Sequence, residues 1–355
     1  MAEKMYDYIL EQPGALKHIL ENRKTNTSVF VEDWTKHKPD RLYIVASGTS
    51  NNAAAGAAPF MEKILGVETH VASPTMLPAV YGKFPYALFV SQGGNSTNTI
   101  SAIEKWNRIP SIALTGQKEC RINEIKRHVL IECGPETAGP KTKGYTSTIL
   151  TLYLMALEAA LANGGITSAD YDAYIAVLAS AANNMEQNIK AGEAWLNANM
   201  DALTKLEKCF VVAPDTGLPV AQEGALKILE TLLIPAGAFE FEEYLHGPIC
   251  ALNEKMAAVY FLPGPRDETF ERMNRLVEFH RTLSPLVFSA GTAAADGRDC
   301  PLLTTGQSYT APFEWIIPCQ LVGAKIPAVL NIEDAGSKVF KALDAVLKIK
   351  HGGGI

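Results

Sequence analysis

Short apolar runs of strand length alternate with helical segments along this chain, and the alternating pattern occurs twice. In the first series Leu42-Tyr43-Ile44-Val45-Ala46, Ala87-Leu88-Phe89-Val90, Ser111-Ile112-Ala113-Leu114 and His128-Val129-Leu130-Ile131 read as strands, with helices over 52–65, 99–108 and 145–162. An Ala/Asn-rich helical stretch without strand runs covers 170–206. The pattern then restarts, with strands at 209–213, 257–262 and 286–289 and helices at 218–233, 268–283 and 313–324. Strands that are apolar throughout, rather than at every second residue, are buried on both faces, and the helices between them supply the crossovers that parallel pairing needs. The chain is therefore expected to be α/β, with two similar domains, each a parallel sheet flanked by helices. Its expected parts are an N-terminal helical segment (1–37), a first domain (38–168), a helical connector (169–206), a second domain (207–335) and a tail (336–355). Helical spacing over 5–22 is expected to be interrupted at Pro13. Only the alternation repeats between the halves; residue identities do not.

Length and charge narrow the function. A chain of 355 residues has room for about two domains. The formal charge is −6 and no Lys/Arg block stands out, so nucleic acid is not an expected partner. No run approaches the roughly 18 apolar residues of a membrane span, and the polar first residues lack a signal core, so a cytoplasmic protein with no membrane partner is expected. Six cysteines are scattered without a C-x-x-C pair. They read as buried free thiols, not as zinc ligands or disulfides. Cys250, four residues after His246, is read the same way in preference to a nucleophile. No metal and no cofactor is expected.

Two turns lie where open α/β sheets bind ligands, at the carboxyl ends of strands. Ser91-Gln92-Gly93-Gly94-Asn95-Ser96-Thr97-Asn98-Thr99 leads into a helix. A helix N-terminus offers unpaired N–H groups and partial positive charge, which suits a phosphate. Ser, Thr and Asn are also ordinary capping residues, so the residues alone leave both readings open. The second turn is Ser47-Gly48-Thr49-Ser50-Asn51-Asn52. Neither contains G-x-G-x-x-G, so a dinucleotide is not expected. The stretch from Gly134 to Thr142 nearly spells a P-loop, but Pro140 separates the second glycine from Lys141 and removes a backbone donor.

The chemistry concentrates on Glu223-Gly224-Ala225-Leu226-Lys227-Ile228-Leu229-Glu230. Glu223, Lys227 and Glu230 stand at i, i+4 and i+7 and stack on one helix face. His246, on a Gly-Pro turn, follows Glu230 by sixteen residues. A carboxylate and an imidazole in one pocket can shuttle protons, as a sugar isomerase does. The competing reading is a solvated Glu223–Lys227 pair worth a few tenths of a kcal/mol.

Glu-Gly-Ala-Leu-Lys-x-x-Glu followed by His246-Gly247-Pro248 resembles the isomerase half of glucosamine-6-phosphate synthase and its relatives, the glucosamine-6-phosphate deaminases and fructosamine-6-phosphate deglycases. These are built from two sugar-isomerase (SIS) domains, each a flavodoxin-like αβα sandwich. The resemblance implies that Glu230 moves a proton between C1 and C2, that His246 opens the sugar ring, and that Lys227 and Glu223 assist. In the family the first turn reads Ser-Gln-Ser-Gly-x-Thr and grips the sugar phosphate. Ser91, Gln92 and Gly94 match it, Ser96 stands for the Thr, and Gly93 replaces the middle Ser. Ser50 matches a substrate-site Ser. The stretch from Glu136 to Thr146 resembles Glu-x-Gly-Val-Ala-Ser-Thr-Lys-x-Phe-Thr, with Thr142, Lys143, Tyr145 and Thr146 aligned. Lys141 stands at the family's Ser, which points to a different head group on the sugar. Lys338 resembles the lysine that reaches the sugar from the tail, with Lys348 and Lys350 competing for that role. Glu11-Gln12-Pro13 matches the family's entry helix.

The resemblance implies an enzyme acting on an amino-substituted hexose 6-phosphate by isomerisation, deamination or deglycation. About forty residues precede the first strand, so a glutaminase domain is not expected. A homodimer or higher homo-oligomer with a shared active site is implied, because the family's ring-opening His comes from the adjacent subunit. Glu243 matches a Glu three residues before that His. The aromatic residues Phe239, Phe241 and Tyr244 fit either an interface or local core. The rival function is a non-catalytic sugar-phosphate-binding regulator, which needs neither Glu230 nor His246.

Overall fold

A computed structural model describes residues 2–292, 295–332 and 335–350. The first helix, α1 (Ala2–His37), leads to β1 (Arg41–Ala46), α2 (Thr49–Leu65), β2 (Glu68–Ala72), β3 (Pro85–Ser91), α3 (Thr97–Lys105), β4 (Ser111–Thr115), α4 (Arg121–Ile125), β5 (His128–Leu130) and α5 (Lys143–Ala162). After α6 (Ser168–Ala198) and α7 (Met200–Leu203) come β6 (Cys209–Ala213), α8 (Leu218–Leu232), β7 (Ala236–Glu240), α9 (Phe241–Leu245), β8 (Ala257–Phe261), α10 (Phe270–Leu283), β9 (Val287–Gly291) and β10 (Asp299–Pro301). The chain continues through α11 (Ala311–Glu314), α12 (Ile316–Val329) and α13 (Ala335–Leu347).

The two sheets have five strands each, ordered β2-β1-β3-β4-β5 and β10-β9-β8-β6-β7, and every strand pair is parallel. Read from β7, the second order repeats the first: the opening strand lies second, its successor takes one edge, and the remaining strands extend the other way. The topology therefore repeats where the residues do not. In both sheets the chain reverses direction beside the opening strand, between β1 and β3 and between β6 and β8, the place where such sheets bind ligands. The expected α/β class with two parallel sheets is what the chain adopts.

The chain forms two compact units. One comprises Gly14–Ala179 and Ser337–Ile355, the other Met1–Pro13 and Ser180–Gly336. They are called here the first-sheet unit and the second-sheet unit.

Several elements differ from expectation. The first helix runs through Pro13 without interruption. Proline leaves the carbonyl four residues earlier without its helical donor. Here that carbonyl, on Ile9, accepts from the Gln12 side-chain amide at 3.4 Å, and the same amide reaches Gln320 Oε1 at 2.9 Å. Strands β2, β7 and β10 were not foreseen. All three are edge strands, and β2 and β7 are only part-buried, so none needs a long apolar run. The segment expected as one helix over 313–324 is two, α11 and α12, meeting at Trp315. The tail forms α13, and residues 351–355 lie outside the described residues.

Five cysteines are buried as expected, but Cys250 is exposed, because it sits on a short 3-10 turn after α9 and not against the sheet. Helix α5 is long and apolar enough to cross a membrane by length and composition, although no unbroken apolar run suggested it; 89% of its apolar window is buried inside the protein.

Candidate active site

In the second-sheet unit, α8 starts just after the carboxyl end of β6, with Pro219 in its first turn where the missing N–H costs nothing. Its face carries the three charged residues together. The Lys227 ammonium lies 3.2 Å from Glu223 Oε1 and 2.7 Å from Glu230 Oε2. Glu223 and Lys227 are completely buried, whereas the Glu230 side chain keeps 34% of its surface exposed. The solvated-pair reading therefore fails. Gly224 allows the burial: a Cβ there would sit 3.0 Å from Cys319 Sγ on α12. Burial acts to push the Lys227 ammonium down, but the two carboxylates outweigh it and hold its pKa above the usual lysine value. The helix thus presents one part-exposed carboxylate fastened by a buried cation. Leu229, the neighbour of Glu230 in sequence, is exposed.

The path from Glu230 to His246 runs through β7 and α9. Edge strand β7 pairs with β6, and Glu240 then caps α9, its Oε2 accepting from the Glu243 amide at 3.0 Å. Phe241 and Tyr244 are buried, and Tyr244 packs on Phe210, Phe239 and Tyr260. These aromatic residues are local core. They fix α9, and His246 follows as its C-cap, with the residue exposed. Among the described residues its imidazole makes no hydrogen bond or ion pair, so the structure does not join it to Glu230. Glu243 is likewise exposed.

In the first-sheet unit the two expected turns meet. They follow neighbouring strands β1 and β3, and Asn98 Nδ2 donates to Ser47 Oγ at 3.0 Å. Ser91 Oγ lies 3.4 Å from Ser96 Oγ, and Ser96 is the N-cap residue of α3. Ser50 lies half-buried in the first turn of α2. Gly94 has φ 66°, and a Cβ there would stand 2.1 Å from Cys120 Sγ; Gly93 has open space around it. Gly94→Ala is expected to cost on the order of 3 kcal/mol, from left-handed strain plus overpacking. Gly93→Ser, which restores the family's residue, should leave the denaturation midpoint unchanged. Chemical denaturation of both variants checks the contrast.

Gln92 directs its side-chain amide to Glu136. Its Nε2 donates to Glu136 Oε2 at 3.1 Å, and its buried Oε1 has no partner among the described residues. Glu136 also accepts from the amides of Thr142 (2.6 Å) and Gly144 (2.9 Å) at the start of α5. A Cβ on Gly144 would collide with Gln92, so a glycine is needed there. Lys141 donates to the Glu136 and Ala138 carbonyls at 3.0 Å each, bracing its own loop, and Thr142 is buried as the N-cap residue of α5. Lys338 is exposed on α13.

Two roles escaped the sequence reading: Asn98 as the link between the turns, and Glu136 as the acceptor that holds Gln92 to the start of α5. Glu136 alone left a signal, a carboxylate seven residues before the start of α5. The structure thus gathers Glu223, Lys227 and Glu230 in one unit and Ser47, Ser91, Ser96 and Asn98 in the other.

No protein-family model matches the chain. Glutamine--fructose-6-phosphate aminotransferase [isomerizing] of Streptococcus pneumoniae (strain R6) is 27% identical over 330 residues, covering 90% of this chain and 54% of that protein. The chain spans about half the length of the curated relatives it matches. A candidate phosphosugar isomerase from Clostridium difficile 630 superposes with a TM-score of 0.86 at 26% identity, covering 93% of this chain and 94% of that one. The chain is a homologue of the double-SIS phosphosugar isomerases. The likeness extends in fold to glucosamine-6-phosphate deaminase of Thermotoga maritima, with a TM-score of 0.73, 20% identity, and 93% and 96% of the two chains covered.

Proposed function

We propose that the chain is an enzyme of the phosphosugar isomerase type. Its substrate is an amino-substituted hexose 6-phosphate, of the glucosamine 6-phosphate or fructosamine 6-phosphate kind, and it moves a proton between C1 and C2. The carrying observation is the buried Lys227 between Glu223 and Glu230. A cation held in a dry helix face, beside a carboxylate that still reaches solvent, suits enolisation. Glu230 takes the proton from the carbon beside the carbonyl or imine, and the released electron pair forms the C1–C2 double bond of an enediol or enolamine. The proton then returns to the neighbouring carbon. Lys227 offsets negative charge developing on oxygen, and Glu223 orients Lys227. His246 assists ring opening. The turn at 91–99 and Ser50 hold the phosphate through hydroxyls and amides, the donors available where no lysine or arginine lies in either turn. The names of the relatives, an isomerising aminotransferase and a phosphosugar isomerase candidate, support the same class of substrate.

Exchange of solvent deuterium into C1 or C2 tests this reading. Fructose 6-phosphate or glucosamine 6-phosphate should exchange in the presence of the protein. No exchange with either, or with amino-acid-conjugated hexose 6-phosphates, would remove the proposal.

The active site is proposed to be shared between subunits of a homodimer. His246 is exposed and unpaired with Glu230 in its own chain, as a residue serving a neighbouring site would be. Mixing inactive Glu230→Gln and His246→Ala chains should then restore activity, since one of the two sites in each heterodimer keeps both groups. Verified subunit exchange without recovery would mean that sharing is wrong.

A further inference from the structure

We propose that the segment after α13, Lys348–Lys350, is a strap that occupies the phosphate turn and must be released for a sugar phosphate to engage it fully. The inference rests on the reading of 91–99 as the phosphate turn. Three contacts carry it, all inside the first-sheet unit. The Ile349 carbonyl accepts from the Thr97 amide at 3.2 Å and from Thr97 Oγ1 at 2.8 Å. Lys350 forms an isolated antiparallel bridge with Ser96. Thr97 is the first residue of α3, and Ser96 is its cap.

The first N–H groups of a helix have no partner within it and point outward with partial positive charge. They are the donors an anionic oxygen seeks. Here one of them, with the hydroxyl of the same residue, is spent on a neutral carbonyl oxygen. Among the described residues the amides of Asn95, Ser96 and Asn98 are given no hydrogen bond. A phosphate that is to take the Thr97 amide and hydroxyl requires the Ile349 carbonyl to leave. Charge-assisted hydrogen bonds are roughly twice as strong as neutral ones, so the exchange favours the ligand once it is present.

The strap is held lightly, as a displaceable element should be. Its anchor is Asp344, whose Oδ1 accepts from the Lys350 amide at 2.9 Å and whose carbonyl accepts from the Lys348 amide at 2.8 Å. Lys348 sits at φ 51°, in the left-handed region that non-glycine residues seldom adopt. The Lys350 ammonium lies over the Phe340 ring at 5.3 Å, on the strap's own helix and not in the turn. A closed strap lowers apparent affinity by the fraction of molecules in which the site is open.

The test compares three chains: the full chain, the full chain carrying Asp344→Ala, and a chain ending at Leu347. Affinity for fructose 6-phosphate and for inorganic phosphate is measured by calorimetry, and exchange of the Thr97 amide by hydrogen–deuterium exchange. Release of the strap should tighten binding of both ligands about three- to tenfold in the shortened chain, in line with removal of a closed state. Asp344→Ala should give a smaller change in the same direction, and the Thr97 amide should lose protection in both variants. Equal or weaker binding by the variants overturns the strap. Failure of all three chains to bind either ligand sinks the phosphate reading of the turn, and the strap with it.

Discussion

Glu230→Gln should lower kcat by about 10²–10⁴-fold, the range supplied by a positioned general base, while KM changes little. The substitution keeps the side chain's size and an oxygen to face the Lys227 ammonium, which now lies 2.7 Å away. It removes only the ability to take a proton. Binding of the sugar phosphate, assigned to the turn at 91–99 on a different sheet, should persist. Steady-state kinetics together with calorimetric affinity separate the two effects. A variant with kcat within a few-fold of the parent would end the role given to Glu230. A variant whose affinity collapses along with kcat would make it a binding residue instead.

Lys227→Met should destabilise the protein by about 3–5 kcal/mol, the usual cost of removing one partner from a buried ion pair. Glu223 is completely buried and faces the ammonium at 3.2 Å. Without it the carboxylate must either stay charged without its cation or take up a proton. Glu223→Gln combined with Lys227→Met should recover most of the loss, because neutral groups of similar size carry little desolvation cost in the same space. The double variant should remain catalytically dead even though it folds. Urea denaturation of the single and double variants gives the comparison. A single variant as stable as the parent would mean that the buried charges are not coupled as their geometry implies. Activity regained in the double variant would remove Lys227 from the reaction.

The Gln12 amide explains why a helix can carry Pro13. Sequence alone offered the Glu-Gln-Pro match, and the breaker rule pointed to an interruption. The rule failed because the orphaned Ile9 carbonyl found a side-chain donor one residue before the proline. The aromatic run near His246 shows the opposite case. Its composition fits an interface or a core equally well, and only the packing of Tyr244 against Phe210, Phe239 and Tyr260 decided for core.

The central strands were legible because burial on both faces forces an apolar run, as in β3, where Tyr86 to Val90 are almost wholly inaccessible. Edge strand β5 was legible too, through His128-Val129-Leu130. Edge strands β2, β7 and β10 were not, because β2 and β7 carry weak or small-residue patterns and β10 is three residues long. The sequence by itself determined the α/β class, the doubled parallel sheets and the shared helix face of Glu223, Lys227 and Glu230, since each follows from a periodicity written into neighbouring residues. Tertiary structure decided what surrounds those residues. It buried Glu223 and Lys227, on a helix whose Gly224 packs against Cys319 of α12, and left Glu230 part-exposed. It turned Gln92 onto Glu136, forty-four residues away. It laid Ile349 on Thr97 across 252 residues of chain. Local pattern fixes which face a side chain occupies; packing between distant segments fixes whether that face meets water, a neighbour or a ligand.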